Sequence, residues 1–369
     1  MNNYKEIFEV MVNKTTEYLK NNGLKTMVLG ISGGIDSTVT AAICNEVVKR
    51  NPELRFIGVS LPCSTNEKEE LNSAFSTITA FCEYKNSLEH NLQKLFSEVS
   101  EDFGQDYDWL KVEDTKIAKG NIKARLRMMY LYNLASLTHG LVMDTDNLTE
   151  HYLGFWTIHG DVGDFNPIGG LWKHEVYGLA KWLANEFYDN TTDSEKIIAL
   201  RKAIVITPTD GNGVAVGGDM AQIAPDHTYE EVDDILMTYL ESVQMHTDSY
   251  QNAMFMLHEK YGIDTVERVI KRHINSEFKR KRLPIAIERK EYINFTEEKN
   301  TLISLMEDNS NTKTELNIRM AESLIQAAKK CLCDEWNDYA DVQIWMRTME
   351  NMRLKTEVLL KKYLNGKLK

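Results

Sequence analysis

The sequence is short of several things, and each shortage narrows the reading. It has no apolar run near the length of a membrane span, and its start, Met1-Asn2-Asn3-Tyr4-Lys5-Glu6, lacks a signal peptide's hydrophobic stretch, so a cytoplasmic protein with no membrane partner is expected. Cysteine is scarce and unpaired in pattern: Cys44, Cys63, Cys82, Cys331 and Cys333 are an odd, scattered five. Cys331 and Cys333 have no second Cys or His pair at zinc spacing, so reduced thiols are expected. Positive charge is in deficit, with 43 Lys and Arg against 55 Asp and Glu for a net charge of −12. That balance argues against a nucleic-acid partner, because a phosphate backbone needs a basic face. There is no internal repeat and no low-complexity tract. What remains, 43% hydrophobic and 27% charged residues over 369 positions, suits a soluble protein of one large or two modest domains.

Against this background one stretch stands out: Gly30-Ile31-Ser32-Gly33-Gly34-Ile35-Asp36-Ser37. Met27-Val28-Leu29 before it reads as a buried strand, and Val39, Ala42, Ile43 and Val47 after it recur at helical spacing. A glycine-rich strand-to-helix turn lets backbone approach an anion at a helix N-terminus. Asp36 makes sense there if the anion brings a metal, since a carboxylate beside a phosphate is a magnesium ligand. Two familiar phosphate loops are excluded. No Gly-Lys-Ser/Thr follows, as a Walker loop requires, and the G-x-G-x-x-G spacing is missing. The stretch Ser32–Ser37 resembles instead the pyrophosphate loop of the ATP pyrophosphatases, which split ATP between its α and β phosphates and adenylate a substrate.

Along the chain, residues 4–20 carry a helical stripe, Arg55–Leu61 reads as a second buried strand, and a helix is expected over 68–81. Between Glu83 and Asp108 one weak strand and one short helix are expected. Residues 119–138 are strongly helical, and Gly140–Met143 forms a third strand. Short buried strands separated by helices imply an α/β fold, a doubly wound parallel sheet with flanking helices. Ligands on such sheets lie beyond the carboxyl ends of the strands, where both the Ser32–Ser37 loop and the turn after Met143 fall. The region 158–228 is rich in Gly, Asp and Pro with little periodicity, and its Gly211-Asn212-Gly213 and Gly217-Gly218 stretches suggest a loop around 210–220 that closes over the ligand. Helix returns from Tyr229.

Three further segments sharpen the resemblance: Gly120-Asn121-Ile122-Lys123-Ala124-Arg125-Leu126-Arg127-Met128, Thr145-Asp146-Asn147-Leu148-Thr149-Glu150, and Gly160-Asp161-Val162-Gly163-Asp164-Phe165-Asn166-Pro167 with Leu171-Trp172-Lys173. In this order, with the glycine-rich loop, they resemble NAD synthetase of the ammonia-using type over roughly residues 1–288. The resemblance implies a Rossmann-like ATP-pyrophosphatase domain, usually a homodimer, that converts deamido-NAD, ATP and ammonia to NAD, AMP and pyrophosphate with Mg2+. It assigns the loop Gly30, Ile31, Ser32, Gly33, Gly34, Ile35, Asp36 and Ser37, with Thr145, Lys173 and Thr209, to ATP. It assigns Asp36 and Glu150 to the metal, and Arg125, Asp164, Phe278 and Lys279 to deamido-NAD. Asp36 and Lys173 are the expected catalytic pair. Taken singly, each has a plainer reading: Glu150 as a solvated helix residue, Arg125 and Arg127 as a charged helix face, Lys279–Arg282 as a nucleic-acid or solvated patch.

The chain departs from the family pattern in four places. Asp144 stands where the family usually has Gly, a change expected to weaken phosphate binding or add a metal contact. Ile158 replaces a lysine, Ser60 an arginine and Phe278 a histidine. Another adenylating ATP pyrophosphatase, tRNA-thiolating or GMP-synthase-like, and a degenerate nucleotide-binding relative are the alternatives. Thiolation would want a reactive cysteine pair and a basic surface. Only residues 1–26 precede the first strand, too few for a glutaminase domain, so free ammonia is the expected nitrogen donor. Residues 289–369 lie outside the resemblance. The capping box Thr312–Glu315 and two amphipathic runs predict a helical extension folded as an antiparallel hairpin.

Overall fold

The computed structural model describes residues 3–63, 66–111, 114–206, 218–243 and 247–281. Helix α1 (Tyr4–Asn21) begins where Asn3 accepts from the Glu6 amide, and it buries Phe8, Val12, Thr15 and Leu19, one stripe at helical spacing. Strand β1 (Thr26–Gly30) leads into α2 (Ile35–Arg50), then come β2 (Arg55–Ser60), α3 (Lys68–Phe81), a 3-10 turn and β3 (Ser87–Glu89). Helices α4 (Gln93–Leu110) and α5 (Lys116–Leu137) precede β4 (Gly140–Val142) and the short α6 (Leu148–Leu153). Helix α7 (Lys173–Trp182) runs through a π turn, Leu183–Phe187, and α8 (Ser194–Val205) follows. The remaining described helices are α9 (Gly218–Ile223), α10 (Tyr229–Ser242), α11 (Thr247–Tyr261), α12 (Ile263–Asn275) and α13 (Glu277–Arg280).

The four strands form one parallel sheet in the order β3-β2-β1-β4. Alternation along β1 divides the core between its two faces. Met27 and Leu29 pack with α1, α2, α7 and α8 through Phe8, Ile43, Leu179 and Leu200. Val28 faces the other way, with Ile57, Val59, Ile122 and Leu126. Burial on both faces is what makes these strands continuous apolar runs. A separate core, built on Leu153, Val232, Ile235, Leu257 and Val269, joins α6 to the helices from α9 onward.

From β1 the chain moves outward to β2 and β3, then returns to the opposite side of β1 as β4. This reversal opens a crevice at the carboxyl ends of β1 and β4, the place where such sheets hold ligands. The edge continues past β4, where Met143 bridges to Phe165 in parallel register.

Two stretches differ from the sequence expectation. The region 158–228, read as nearly aperiodic, contains α7, the π turn and α8. Helix α8 buries Ile197, Ala199, Leu200 and Ala203, and burial of two adjacent positions broadens the apolar face beyond the stripe that signals an amphipathic helix. The helix expected to be short before Asp108 is the 18-residue α4. No helix among the described residues is long and apolar enough to cross a membrane. The closing loop expected around 210–220 lies outside the described residues up to 217, and its remaining part opens α9 at Gly218; the extension 289–369 lies outside the described residues.

Candidate active site

The glycine-rich loop turns from β1 into α2 under tight restraint. Gly33 has φ +89°, and a Cβ there would meet the Glu70 carbonyl and the Ala74 amide nitrogen at 2.5 Å. Only glycine fits both the conformation and the gap. The Ser73 hydroxyl donates to the Gly33 carbonyl at 2.7 Å and ties the loop to α3. No side chain caps α2 at Gly34. The first amides of α2 therefore meet the crevice with the positive end of the helix dipole behind them, an arrangement made for an anion. The crevice is a cavity of about 560 Å³ whose lining includes Ser32, Gly34, Asp36, Thr145, Glu150 and Lys173.

At its floor three charged side chains from three elements meet. The Lys173 ammonium is 2.5 Å from Asp36 Oδ2 and 2.9 Å from Glu150 Oε1. The lysine side chain is only 4% exposed, and the carboxylates 16% and 18%. Burial alone would pull the lysine down, but Asp36 and Glu150 outweigh it and hold the ammonium well above its ordinary range. The ring of Tyr229 lies 5.3 Å from Nζ.

Lys173 opens α7, an unfavourable place for a cation near the helix dipole. A buried network compensates. Asp233, on α10, accepts from the Thr149 hydroxyl, from the His174 amide at 2.9 Å, and faces His174 Nδ1 at 2.8 Å. The Thr149 oxygen in turn accepts the Lys173 amide at 2.8 Å. A carboxylate thus satisfies the first turn of α7, and the lysine's backbone is fixed to both α6 and α10.

A second set of acids surrounds the turn after β4. Asp144 is buried, and its Oδ1 accepts the Thr145 amide at 2.7 Å and the Asp146 amide at 3.1 Å. Its carboxylate is folded into its own turn and is absent from the cavity lining, in place of the phosphate or metal contact expected from the sequence. Burial raises Asp144, and burial with the nearby Asp144, Glu150, Asp161 and Asp36 carboxylates raises Asp146 far above the usual range. Asp161 opens to the cavity but is walled in by protein, which pushes it up to about 6.

The residues assigned to deamido-NAD do not gather in this cavity. Lys279 lines it, with Nζ donating to the Gly154 carbonyl at 2.7 Å and also to the Trp156 carbonyl. Arg125 is exposed and donates to the Ile158 carbonyl at 3.2 Å. Asp164 accepts from Tyr132 Oη and the Val142 amide, both at 2.9 Å, and Phe278 is 50% exposed. Neither of these two, nor Arg125, lines the cavity. Thr209 lies outside the described residues.

Arg127, two positions beyond Arg125, does line the cavity, and it donates to the Leu61 carbonyl and to Asn66 Oδ1, both at 3.2 Å. The motif contained both arginines, but helical spacing puts them on different faces, and only the register of α5 tells which one turns inward. Asn147 carried no signal of its own beyond its place in a motif segment, and Asp233 none beyond the helix expected from Tyr229. Cys44, Cys63 and Cys82 are free and buried, and burial raises the Cys44 thiol and pushes Cys82 up to about 12. Neither of these two is primed for sulfur chemistry.

The donor set suits a hard divalent cation. Among the described residues no group of three or more His, Cys, Asp or Glu converges as a metal cage. Two carboxylates, Asp36 and Glu150, converge on one cation beside a phosphate-type loop. That is the magnesium pattern, one or two protein carboxylates completed by substrate phosphates.

Comparison with known proteins agrees with this geometry. The model of the NAD synthase family matches residues 7–283. The NH(3)-dependent NAD(+) synthetase of Campylobacter jejuni subsp. jejuni is 35% identical over 182 residues, 49% of this chain and 68% of that protein. The solved structure of NH3-dependent NAD synthetase from C. jejuni, in complex with the nitrate ion, superposes with a TM-score of 0.55 at 26% identity and covers 78% of this chain and all (100%) of that one. The structure of NMN synthetase from Francisella tularensis shares the fold, with a TM-score of 0.58 at 24% identity over 78% of this chain and 99% of that one.

Proposed function

The chain belongs to the NAD synthase family, and we infer that it amidates deamido-NAD to NAD with ATP and ammonia, releasing AMP and pyrophosphate. The single observation that carries this reading is the meeting of Asp36, Glu150 and Lys173 beside an uncapped helix start. A carboxylate is a poor acceptor for ammonia because it has no leaving group. An oxygen of the nicotinate carboxylate attacks the α-phosphorus, and the bond from that phosphorus to the bridging oxygen breaks. Pyrophosphate leaves, and an acyl adenylate remains. Ammonia then attacks the acyl carbon, the bond to the AMP oxygen breaks, and nitrogen loses a proton.

Negative charge grows on the departing pyrophosphate in the first step. The α2 amides and Lys173 are positioned to stabilise it. Asp36 and Glu150 are the residues that would hold Mg2+, which when bound neutralises phosphate charge and orients the leaving group. Thr145 faces the same cavity and offers a hydroxyl to ATP. Lys279 is proposed for the acceptor at the cavity mouth, and Arg125, Asp164 and Phe278 for the part of deamido-NAD that extends outside the cavity. A cytoplasmic homodimer completes the reading.

The test follows pyrophosphate release with Mg2+ and ammonia while the acceptor is varied among deamido-NAD, nicotinate mononucleotide, xanthosine monophosphate and tRNA. Turnover with deamido-NAD is expected, with ammonia and not glutamine as donor. Asp36→Asn is expected to lower kcat on the order of 100-fold or more with the fold intact. ADP as product, preference for xanthosine monophosphate or tRNA, or an undiminished Asp36→Asn variant overturns the assignment. Preference for the mononucleotide keeps the chemistry and shortens the acceptor.

A further inference from the structure

Asn147 sits between the two carboxylates proposed for the metal, yet no step of the reaction uses it. It is completely buried. Its Nδ2 donates to Asp36 Oδ1 at 2.9 Å. Its Oδ1 accepts the Glu150 amide at 3.1 Å, and its own amide donates to Glu150 Oε2 at 3.2 Å. One residue therefore binds the outer oxygen of each carboxylate. The inner oxygens, Asp36 Oδ2 and Glu150 Oε1, are the pair that converge on the Lys173 ammonium.

We propose that Asn147 is the positioning residue that shapes the divalent-cation seat. It holds Asp36 and Glu150 by their outer oxygens so that their inner oxygens face one point. The inference rests on the reading that these two acids hold Mg2+. The physical case is one of preorganisation. A free carboxylate rotates about its last torsion and offers either oxygen, whereas a partner on one oxygen leaves the other aimed. Two carboxylates side by side also repel, and the Asn147 amide offsets this with donors while adding no charge that a cation would have to displace. The backbone donor to Glu150 survives any substitution at 147, so the side chain's share is its bond to Asp36.

The plainer account makes Asn147 only the N-cap of α6, which it is. The two accounts separate by choice of variant. Serine and threonine retain the capping oxygen but are too short to carry a donor to Asp36. Alanine loses both. The measurement is Mn2+ binding to the full chain with the α,β-methylene analogue of ATP, read by the loss of free-Mn2+ electron paramagnetic resonance, alongside thermal unfolding of the same samples. Asn147→Ala is expected to lower both the melting temperature and the Mn2+ affinity. Asn147→Ser and Asn147→Thr are expected to regain the melting temperature while binding Mn2+ about 10-fold more weakly than the unaltered chain. In turnover the Mg2+ concentration for half activity rises by a similar factor, and kcat at saturating Mg2+ changes less. Recovery of Mn2+ affinity by serine or threonine, or full affinity in the alanine variant, overturns the proposal and leaves Asn147 a cap. Failure of the unaltered chain to take up Mn2+ with the nucleotide analogue overturns the metal reading itself, and the positioning role with it.

Discussion

Two sets of carboxylates flank one crevice, and the protein treats them in opposite ways. Asp36 and Glu150 stand at the starts of α2 and α6 and share a buried ammonium. Asp144, Asp146 and Asp161 lie in the loops on either side of α6, and in place of a shared cation they have one another and backbone amides. In the first set charge is balanced by a buried lysine, the partner that nucleotide and metal would displace in the proposed reaction. In the second, Asp144 and Asp161 accept backbone N–H groups that also hold the turns in shape, and Asp161 feels the Lys279 charge as well. On the proposed reaction, the difference separates residues that would trade partners from residues that would hold the frame.

Removing the shared cation would erase that difference. Lys173→Met leaves Asp36 and Glu150 half-buried with no cation between them. Loss of one member of a buried ion pair costs about 3–5 kcal/mol, and the partial exposure of the two acids puts the expected loss near the lower end, about 3 kcal/mol. Turnover should fall on the order of 1,000-fold, because the cation facing the departing pyrophosphate is gone. Added Mg2+ should then raise the melting temperature of the variant more than that of the unaltered chain, since it supplies the missing charge. Urea unfolding with and without Mg2+ checks this. Equal stability of the two chains without metal would mean that the first set is no better neutralised than the second.

The second set makes its own demand on pH. Burial holds Asp161 up to about 6 and raises Asp144 and Asp146 in the same direction. For an acid whose folded pKa is raised, the folded state binds more protons than the unfolded state between the two values. The stability it contributes is therefore complete below the unfolded value, about 4, and is lost as pH rises through the folded value. Unfolding stability of the ligand-free protein should decline between about pH 4 and pH 6 on account of Asp161, and Asp161→Asn should flatten that decline. Asn keeps an oxygen to accept the Thr157 amide that Asp161 Oδ1 now holds. The solvent in the cavity limits the size of the effect. Parallel slopes for the two chains would show that Asp161 is solvated like a surface acid.

The same contrast explains how far the sequence could be read. The strand, glycine turn and helix around Gly33 were legible because a phosphate loop imposes a backbone conformation that few residues satisfy. Asp36, Glu150 and Lys173 could be picked out because each sits in a short motif, and the structure brings them together. That the lysine touches both acids was not legible, because the three come from α2, α6 and α7 and meet only through the sheet's switch point. Helix α8 escaped notice because burial of neighbouring positions blurs its periodicity. Arg125 and Arg127 differ by two positions in one helix, and which of them turns into the cavity depends on the register of α5. Asp144 could be read only from its place in the chain. A carboxylate in a ligand-side turn suggests a ligand contact, yet backbone amides of the same turn claim it first.

Asp144 also gives the smallest and most discriminating test. Its Oδ1 serves the Thr145 and Asp146 amides, so Asp144→Asn keeps an acceptor in place and removes only the charge. A buried carboxylate raised by desolvation is unfavourable when ionised, so the amide should stabilise the fold at pH 7.5, on the order of 1 kcal/mol. The sign follows from linkage: the contribution of the raised acid is present at low pH and lost as pH rises, so the gain from asparagine should vanish near pH 4 and grow toward neutrality. Glycine, the residue the family pattern favours here, would behave differently. It removes the charge and both hydrogen bonds together, two effects of opposite sign and similar size. The side chain does not line the cavity, so kcat and the KM for ATP should change by less than about threefold in the asparagine variant. A large rise or fall in the Mg2+ requirement of Asp144→Asn would instead place Asp144 with Asp36 and Glu150, among the acids that exchange partners, and the division between the two sets would move by one residue.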